Sequence, residues 1–387
     1  MRYSHVIIFL ALILSACQTS ENNIYNSEIE SYDLSNLEET TFDQLVGDVE
    51  LIPLRFELET YPNMNYRTLI TDSFIYITDT KQLVHTFDLA GHNIACSKIK
   101  HGNGPGEYSI LMSAMQTSNP DKVALLTPFK LIEYDSKFEA WRESPLQTKI
   151  GATAYIYGGG IGIGENKYIL LPAVTNEIAD QIDLYDAEKE RVTKTLKYPF
   201  DVRAWVGSSK RNIFHMPNST ILFCTPALSE YVYEIRPDTL LPRIKFTFGP
   251  EIITKEEYEA AHKELEEKWA QNIDAYIDDF TDKGIPRSCL INSKKIIHKV
   301  DQRNQDYVIV TDRSSHKSSK IVCIENGTPL YPFFDEIDEN FLYTVISKSY
   351  ILKHIDIMYG KTEEEVREAL KDIDDEDFVL LKYQIKE

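Results

Sequence analysis

The sequence predicts an all-β fold, a six-bladed β-propeller with two helical insertions. Three observations carry that prediction. Aromatic or β-branched runs end in an acidic turn at Asp88, Asp135, Asp186 and Asp238, and these aspartates lie 47, 51 and 52 residues apart. Such strands, repeating every 40–50 residues, are the sequence mark of propeller blades. A further strand precedes each, at Phe74–Thr78, Val123–Thr127, Tyr168–Leu171 and Thr220–Cys224, so every unit holds several short strands. The 23 tyrosines and 17 phenylalanines, set against 16 glycines, suit strands that pack aromatic faces on one another. With 43% apolar and 26% charged residues, a disordered chain and a multi-span membrane protein are both excluded.

The first element is an address. Arg2 precedes the apolar run Val6–Leu14, nine residues long, which is too short to span a membrane but is laid out as a secretory signal. Leu14-Ser15-Ala16-Cys17 resembles the lipobox of bacterial lipoproteins. That resemblance implies a signal peptide over 1–16, cleavage before Cys17, and acylation of Cys17 as the new N-terminus. Several acyl chains give a durable anchor, at about 0.8 kcal/mol per CH₂. An ordinary secretory signal that happens to contain a cysteine is the competing reading. Gln18, where an aspartate would favour inner-membrane retention, points to the outer membrane, with either the periplasmic or the exterior side open. Residues 17–48 are polar and weakly patterned, and are expected to form a tether.

The propeller is expected over 49–387. A fifth unit is built from Tyr307–Thr311, Asp312 and Lys320–Ile324, and a sixth from Phe341–Ser347 and Phe378–Ile385. Residues 49–387 make six units of about 50 residues once about 36 helical residues are set aside. The last unit lacks an outer strand, and Val49–Leu54 can supply it, since Pro53 is tolerated on an outermost strand. Two capping boxes, Thr254/Glu257 and Thr362/Glu365, open the helical insertions at about 254–280 and 362–371. Tyr258, Ala261, Leu265, Trp269, Ile273, Tyr276 and Phe280 trace one face of a helix of about seven turns.

Between the first two units stands Gly102-Asn103-Gly104-Pro105-Gly106-Glu107-Tyr108. No Gly-Lys-Ser/Thr follows, so it is no phosphate-binding P-loop, and no strand–helix unit surrounds it as a dinucleotide fingerprint requires. Glycines around a proline suit a tight turn with positive φ, so Gly102, Gly104, Pro105, Gly106, Glu107 and Tyr108 are read as a structural signature turn. Together with Leu51-Ile52-Pro53-Leu54, this run resembles the six-bladed β-propeller lipoproteins of Gram-negative bacteria. Their signature at this junction is Gly-x-Gly-Pro-Gly-Glu-Tyr/Phe, and their blades are related to NHL repeats. The resemblance implies a fold and an envelope location and carries no catalytic residue.

No His-Glu-x-x-His, Gly-x-Ser-x-Gly or Cys/His metal cluster occurs, so no catalytic residue, metal ligand or cofactor is assigned. The remaining cysteines, Cys96, Cys224, Cys289 and Cys323, form no CxxC pair and are read as buried thiols. His85 and His298 fall in strand-like runs and are read as packed. The glycine run 158–164 is read as a wide turn or bulge, and the acidic run 372–377 as a solvated loop. A net charge of -20 opposes nucleic-acid binding. Propellers place function in the channel and the loops of one end, which singles out Arg67, Tyr108, Arg203, Trp205, His215 and Arg287 as candidate ligand contacts. Arginine and aromatics can hold a carboxylate or stack on a sugar. Each has an ordinary packing or salt-bridge role as its competitor. The expected function is a lipid-anchored binding or interaction module for a glycan, a peptide or an envelope protein. The alternative is a propeller lyase or hydrolase with a metal near the channel.

Overall fold

The computed structural model describes residues 29–56, 65–146, 156–173, 181–197, 213–224, 230–271, 273, 277–355, 358 and 360–386. The chain enters through β1 (Glu30–Leu34), β2 (Glu38–Glu39), a short helix over Phe42–Leu45, and β3 (Val46–Pro53). Blade one is β4 (Asn65–Ile70), β5 (Phe74–Asp79), β6 (Val84–Asp88) and β7 (Asn93–Cys96). Blade two is β8 (Ser113–Gln116), β9 (Lys122–Leu126), β10 (Lys130–Asp135) and β11 (Trp141–Pro145). Blade three is β12 (Ile156–Gly164), β13 (Lys167–Ala173), β14 (Gln181–Asp186) and β15 (Arg191–Lys197). Blade four follows with β16 (Ile213–His215), β17 (Ile221–Cys224), β18 (Tyr231–Ile235) and β19 (Leu240–Phe248). Blade five has β20 (Ile285–Ile291), β21 (Lys295–Asp301), β22 (Gln305–Asp312) and β23 (Ser318–Glu325), with β24 (Thr328–Pro329) paired to β23. Blade six has β25 (Glu336–Ile337), β26 (Phe341–Ser347) and β27 (Phe378–Ile385).

The first strand of each blade is innermost, and its four-stranded meander is antiparallel. The acidic turns close the third strand onto the fourth for the reason that makes aspartate suit them. Asp88 Oδ1 accepts from the Ala90 amide at 2.9 Å, Asp135 Oδ1 from Lys137 at 3.2 Å, and Asp186 Oδ1 from Glu188 at 3.2 Å. The tyrosines are large faces with one polar tip. Tyr134, Tyr157 and Tyr185 are fully buried, and their hydroxyls donate to Gly106 O, the Asp183 carboxylate and Pro145 O at 2.6–2.7 Å. An aromatic that packs apolar area and still satisfies its hydroxyl can cement neighbouring blades without an unpaired polar group.

Closure comes from the N-terminal segment. β3 pairs antiparallel with β27 as the outer strand of blade six, with Leu51 opposite Leu381 and Val49 opposite Tyr383. The pairing continues at both ends, through Leu54 N–H to Phe378 O and Lys386 N–H to Leu45 O, each 2.9 Å. Pro53 sits near the end of this edge strand, where no ladder donor is needed.

The expected tether to residue 48 is corrected here. Residues 30–45 lie on the propeller as a belt across the outer edges of blades four, five and six. β1 pairs parallel with β19, β2 parallel with β23, and β3 then closes blade six. Tyr32 and Leu34 are buried while Ser31 and Asp33 face outward, an alternation hidden among polar neighbours. Phe42, fully buried, stacks on Tyr331 and Phe334 with centroids 5.0 and 5.6 Å away and meets Tyr383 edge-on at 5.4 Å. Glu30 pairs with Arg313, which also donates to Asn292 O at 2.8 Å.

Alternation of strand direction puts the second-to-third turns and the blade-to-blade links at one end, here the upper end. The signature turn and both helical insertions belong there. Both capping boxes form, with Thr254 and Thr362 accepting from Glu257 N and Glu365 N. The first helix runs only over Lys255–Ala270, shorter than the seven turns expected, with a 3₁₀ turn at Ile277–Phe280. Tyr258, Ala261 and Leu265 are buried, but Trp269 is 53% exposed, so the apolar face leaves the propeller before the pattern ends. The glycine run is the inner strand β12 rather than a wide turn, and it carries the expected irregularity as register shifts at Tyr157/Gly159 and Gly162/Gly164. A Cβ on Gly162 would lie 2.8 Å from Thr117 Cα, so glycine lets this strand press against blade two.

The belt makes a direct prediction. Leu34→Ala, in a segment that would be inert as a tether, should cost about 2–5 kcal/mol in urea unfolding by removing a fully buried side chain.

Candidate functional site

The signature turn links β7 to β8. Glu107 organises it: its carboxylate accepts the Gly104 amide at 2.8 Å, while its own amide donates to Gly104 O at 3.1 Å. The Gly102 amide donates to Tyr108 O at 2.9 Å. Of the three glycines only Gly106 has a positive φ, +61°. Gly102 and Gly104 are small for another reason, because Cβ atoms there would come within 2.2 and 3.0 Å of Glu107 Oε2. The expectation of positive φ through the whole run is corrected accordingly. Gly106 carries both demands, since a Cβ on it would sit 2.4 Å from the Trp141 indole. Its amide donates to Glu143 Oε2 at 2.9 Å, and Lys130 reaches the same oxygen at 3.0 Å. Burial works against the Glu143 charge, but these two donors hold its carboxyl below the ordinary range. Pro105 is exposed at the tip. Tyr108 is buried, hydrogen-bonds Ser97 Oγ at 2.5 Å and donates to Gln82 O at 3.0 Å. Burial above all pushes its phenol well above the usual range, so the ring is a neutral brace between blades one and two.

Three of the axial candidates are found on inner strands, each tied to the protein itself. Arg67 Nη1 on β4 donates to Met112 O at 2.8 Å, linking blades one and two. His215 on β16 is exposed, with Nε2 3.2 Å from Gly162 O of blade three. Arg287 on β20 pairs with Asp301 at 3.0 Å. The structure therefore spreads Arg67, His215 and Arg287 around the ring and joins none of them to Tyr108. Arg203 and Trp205, like Cys17, lie outside the described residues. Among the described residues no three His, Cys, Asp or Glu side chains gather as metal ligands.

What the structure does bring together is a groove of about 450 Å³ at the lower end, between blades two and three. Asn119 comes from the β8–β9 turn, Lys122 and Glu133 from β9 and β10, Arg142 from β11, and Glu165 and Asn166 from the β12–β13 turn. Lys122 Nζ donates to Glu133 Oε1 at 2.7 Å, and Tyr168 OH to Glu133 Oε2 at 2.7 Å. Arg142 Nη1 donates to Asn166 Oδ1 at 2.5 Å. Asn166 takes φ +57° at its turn, an αL position that asparagine tolerates. Trp141, 42% exposed, stands at the rim. These contacts leave unused N–H groups on Lys122, Arg142 and both asparagines beside a free-standing carboxylate at Glu165. Donors and acceptors thus alternate over a few ångströms. Sequence reasoning missed this groove because its residues lie on five elements of two blades. The only trace was Glu133 standing between the apolar Ile132 and Tyr134 in β10.

A family model matches residues 25–381. The chain belongs to the DUF4934 family, a domain of unknown function. No curated protein matches it. Among solved structures, a Bacteroides fragilis protein named as an exported protein superposes with a TM-score of 0.61 at 13% identity, covering 93% of this chain and 100% of that one. A member of the DUF4221 family from Bacteroides vulgatus gives 0.55 at 9% identity, covering 88% and 98%. At such identities these likenesses establish the six-bladed fold shared with this DUF4934 chain.

The turn's geometry ranks its glycines. Gly106→Ala must adopt αL backbone, at about 1–2 kcal/mol, and must also displace the Trp141 indole. Its loss of melting temperature should exceed that of Gly104→Ala, which meets only the Glu107 carboxylate. Equal losses would contradict this description of the turn.

Proposed function

We propose that this DUF4934 chain is a lipid-anchored envelope module that binds a saccharide in the groove between blades two and three. The observation that carries this reading is the alternation of Asn119, Lys122, Arg142, Glu165 and Asn166 around one concavity, with Trp141 at its rim. Each sugar hydroxyl both donates and accepts, so a saccharide needs side-chain donors and acceptors at close spacing. Its C–H faces pack on an aromatic such as Trp141. The axial arginines and His215 are spent on bracing contacts, which favours the groove over the channel. A net charge of -20 opposes phosphate polymers, and supports neutral or weakly charged glycans. The leader and the Leu14–Cys17 pattern support acylation at Cys17, and with it attachment to the outer membrane.

Arrayed envelope oligosaccharides provide the test. A bound oligosaccharide should lose at least about ten-fold in affinity on Arg142→Ala or Glu165→Ala, with unfolding curves nearly unchanged, since removing a hydrogen bond to a charged group costs about 1.5–3 kcal/mol. No binding to any of them, or binding indifferent to both substitutions, would reject the groove. In the same preparations Cys17→Ser should remove the acyl mass and release the protein from membranes.

A further inference from the structure

A second constellation lies in blade one, apart from the groove. Asp79 at the end of β5, His85 on β6 and Cys96 on β7 form a row across three adjacent strands. His85 and Cys96 are directly opposed in the β6–β7 ladder. His85 Nε2 is 3.3 Å from Asp79 Oδ2, and both side chains are fully buried. Asp79 is itself fixed, because its Oδ1 accepts the Leu83 amide at 2.9 Å and its own amide donates to Leu83 O at 2.9 Å. The other ring nitrogen, His85 Nδ1, is buried without a hydrogen-bond partner of standard geometry. Cys96 stands beside the ring as its cross-strand neighbour, and it is among the groups that raise the His85 pKa.

The surroundings favour one role for this thiol. Cys96 is partly exposed, whereas Cys224, Cys289 and Cys323 are buried. The next residue is clamped: Ser97 Oγ accepts the Val84 amide at 2.8 Å and bonds the Tyr108 hydroxyl of the signature turn. Cys96 is therefore held in place against His85 by the same turn that joins blades one and two. Phe56, just after β3, meets the ring edge-on at 5.3 Å and in turn meets Phe378 of blade six at 6.0 Å. The titratable groups acting on it are Asp79 and Cys96, and Tyr108 in turn lies near both of these. Burial alone would lower the His85 pKa, but Asp79 and Cys96 beside it outweigh that and raise it to about 9. The ring is therefore an imidazolium near neutral pH, a fixed positive charge beside the thiol.

We infer that Cys96 is a nucleophilic thiol, activated by His85 and held in register through Asp79, that undergoes exchange with small disulfides. The Cys96 thiol gives its proton to solvent, and its thiolate, facing the His85 imidazolium, attacks one sulfur of RS–SR. The Cys96–SR bond forms as the RS–SR bond breaks, and the departing RS⁻ takes a proton from solvent and leaves as RSH. No external oxidant or reductant is required. A nucleophile beside an imidazolium that a carboxylate orients is the general arrangement for an activated cysteine.

Dithiodipyridine is a suitable probe, since each exchange releases a coloured thione, and mass spectrometry assigns the adduct. At about pH 6 Cys96 in the full chain should react at least about ten-fold faster than glutathione, and its rate should fall only weakly between about pH 8 and pH 6. Cys96→Ser should abolish the fast phase. His85→Asn should slow it about ten-fold at pH 6 and restore the steep pH profile of an ordinary thiol, and Asp79→Asn should shift the profile the same way. A wild-type rate and profile like those of glutathione would overturn the proposal, as would a folded His85→Asn variant that reacts unchanged. Should that variant not fold, the wild-type profile decides alone.

Discussion

The pairing of β3 with β27 is the contact on which the rest of the molecule depends. A propeller blade buries its two faces only against its neighbours, so an unclosed ring would leave blades one and six with exposed apolar faces and a bare strand edge. Ile52 and Leu54 bring the closing strand into the core between those blades, beside Ile75, Ile77 and Phe87 of blade one and Val345 and Leu380 of blade six. Closure thus joins the chain's N-terminal and C-terminal portions in one sheet. The belt extends it, because the chain that reaches β3 first crosses blades four and five and buries Tyr32, Leu34 and Phe42 on the way.

A closed ring of stiff blades explains where chemistry can sit. The groove draws on turns of two neighbouring blades, so its spacing follows from the blade-to-blade packing rather than from any one loop. Tyr168 and Tyr185 set that packing, since both stand in blade three and donate to Glu133 and Pro145 O of blade two. At the opposite end of blade two, the signature turn does the corresponding work toward blade one, with Tyr134 and Glu143 gripping Gly106 from one side and Tyr108 gripping Ser97 from the other. The Asp79–His85–Cys96 row is held by this second junction. Both candidate sites are therefore by-products of how adjacent blades are fastened, which is why they sit at the two edges of blade two's neighbourhood.

Much of the fold was legible because it rests on local chemistry. The acidic turns at Asp88, Asp135 and Asp186 reveal themselves through an Asx bond that spans two residues, and the capping boxes at Thr254 and Thr362 through one that spans three. The closing strand was legible from the missing outer strand of the last unit and from Pro53. The belt was not, since Tyr32 and Leu34 are only two apolar residues in a polar stretch and their burial depends on edges supplied by distant blades. The length of the first helix failed likewise, because the period of Trp269 and Ile273 continues after the surface it could cover has ended. Asn119, Arg142 and Asn166 meet only through the ring. His85 was read as packed, correctly as to burial, but the sequence gives no sign that Asp79 and Cys96 flank it.

The most direct measurement is thermal unfolding of two truncations beside the chain without them. Removing residues 18–29, ahead of the belt, should leave the transition unchanged, whereas removing residues 18–54 should lower the midpoint by well over 10 °C or abolish cooperative melting, given about 2–4 °C per kcal/mol for a domain somewhat smaller than this. Equal midpoints for the two truncations would contradict closure by β3 and, with it, the account of the fold given above.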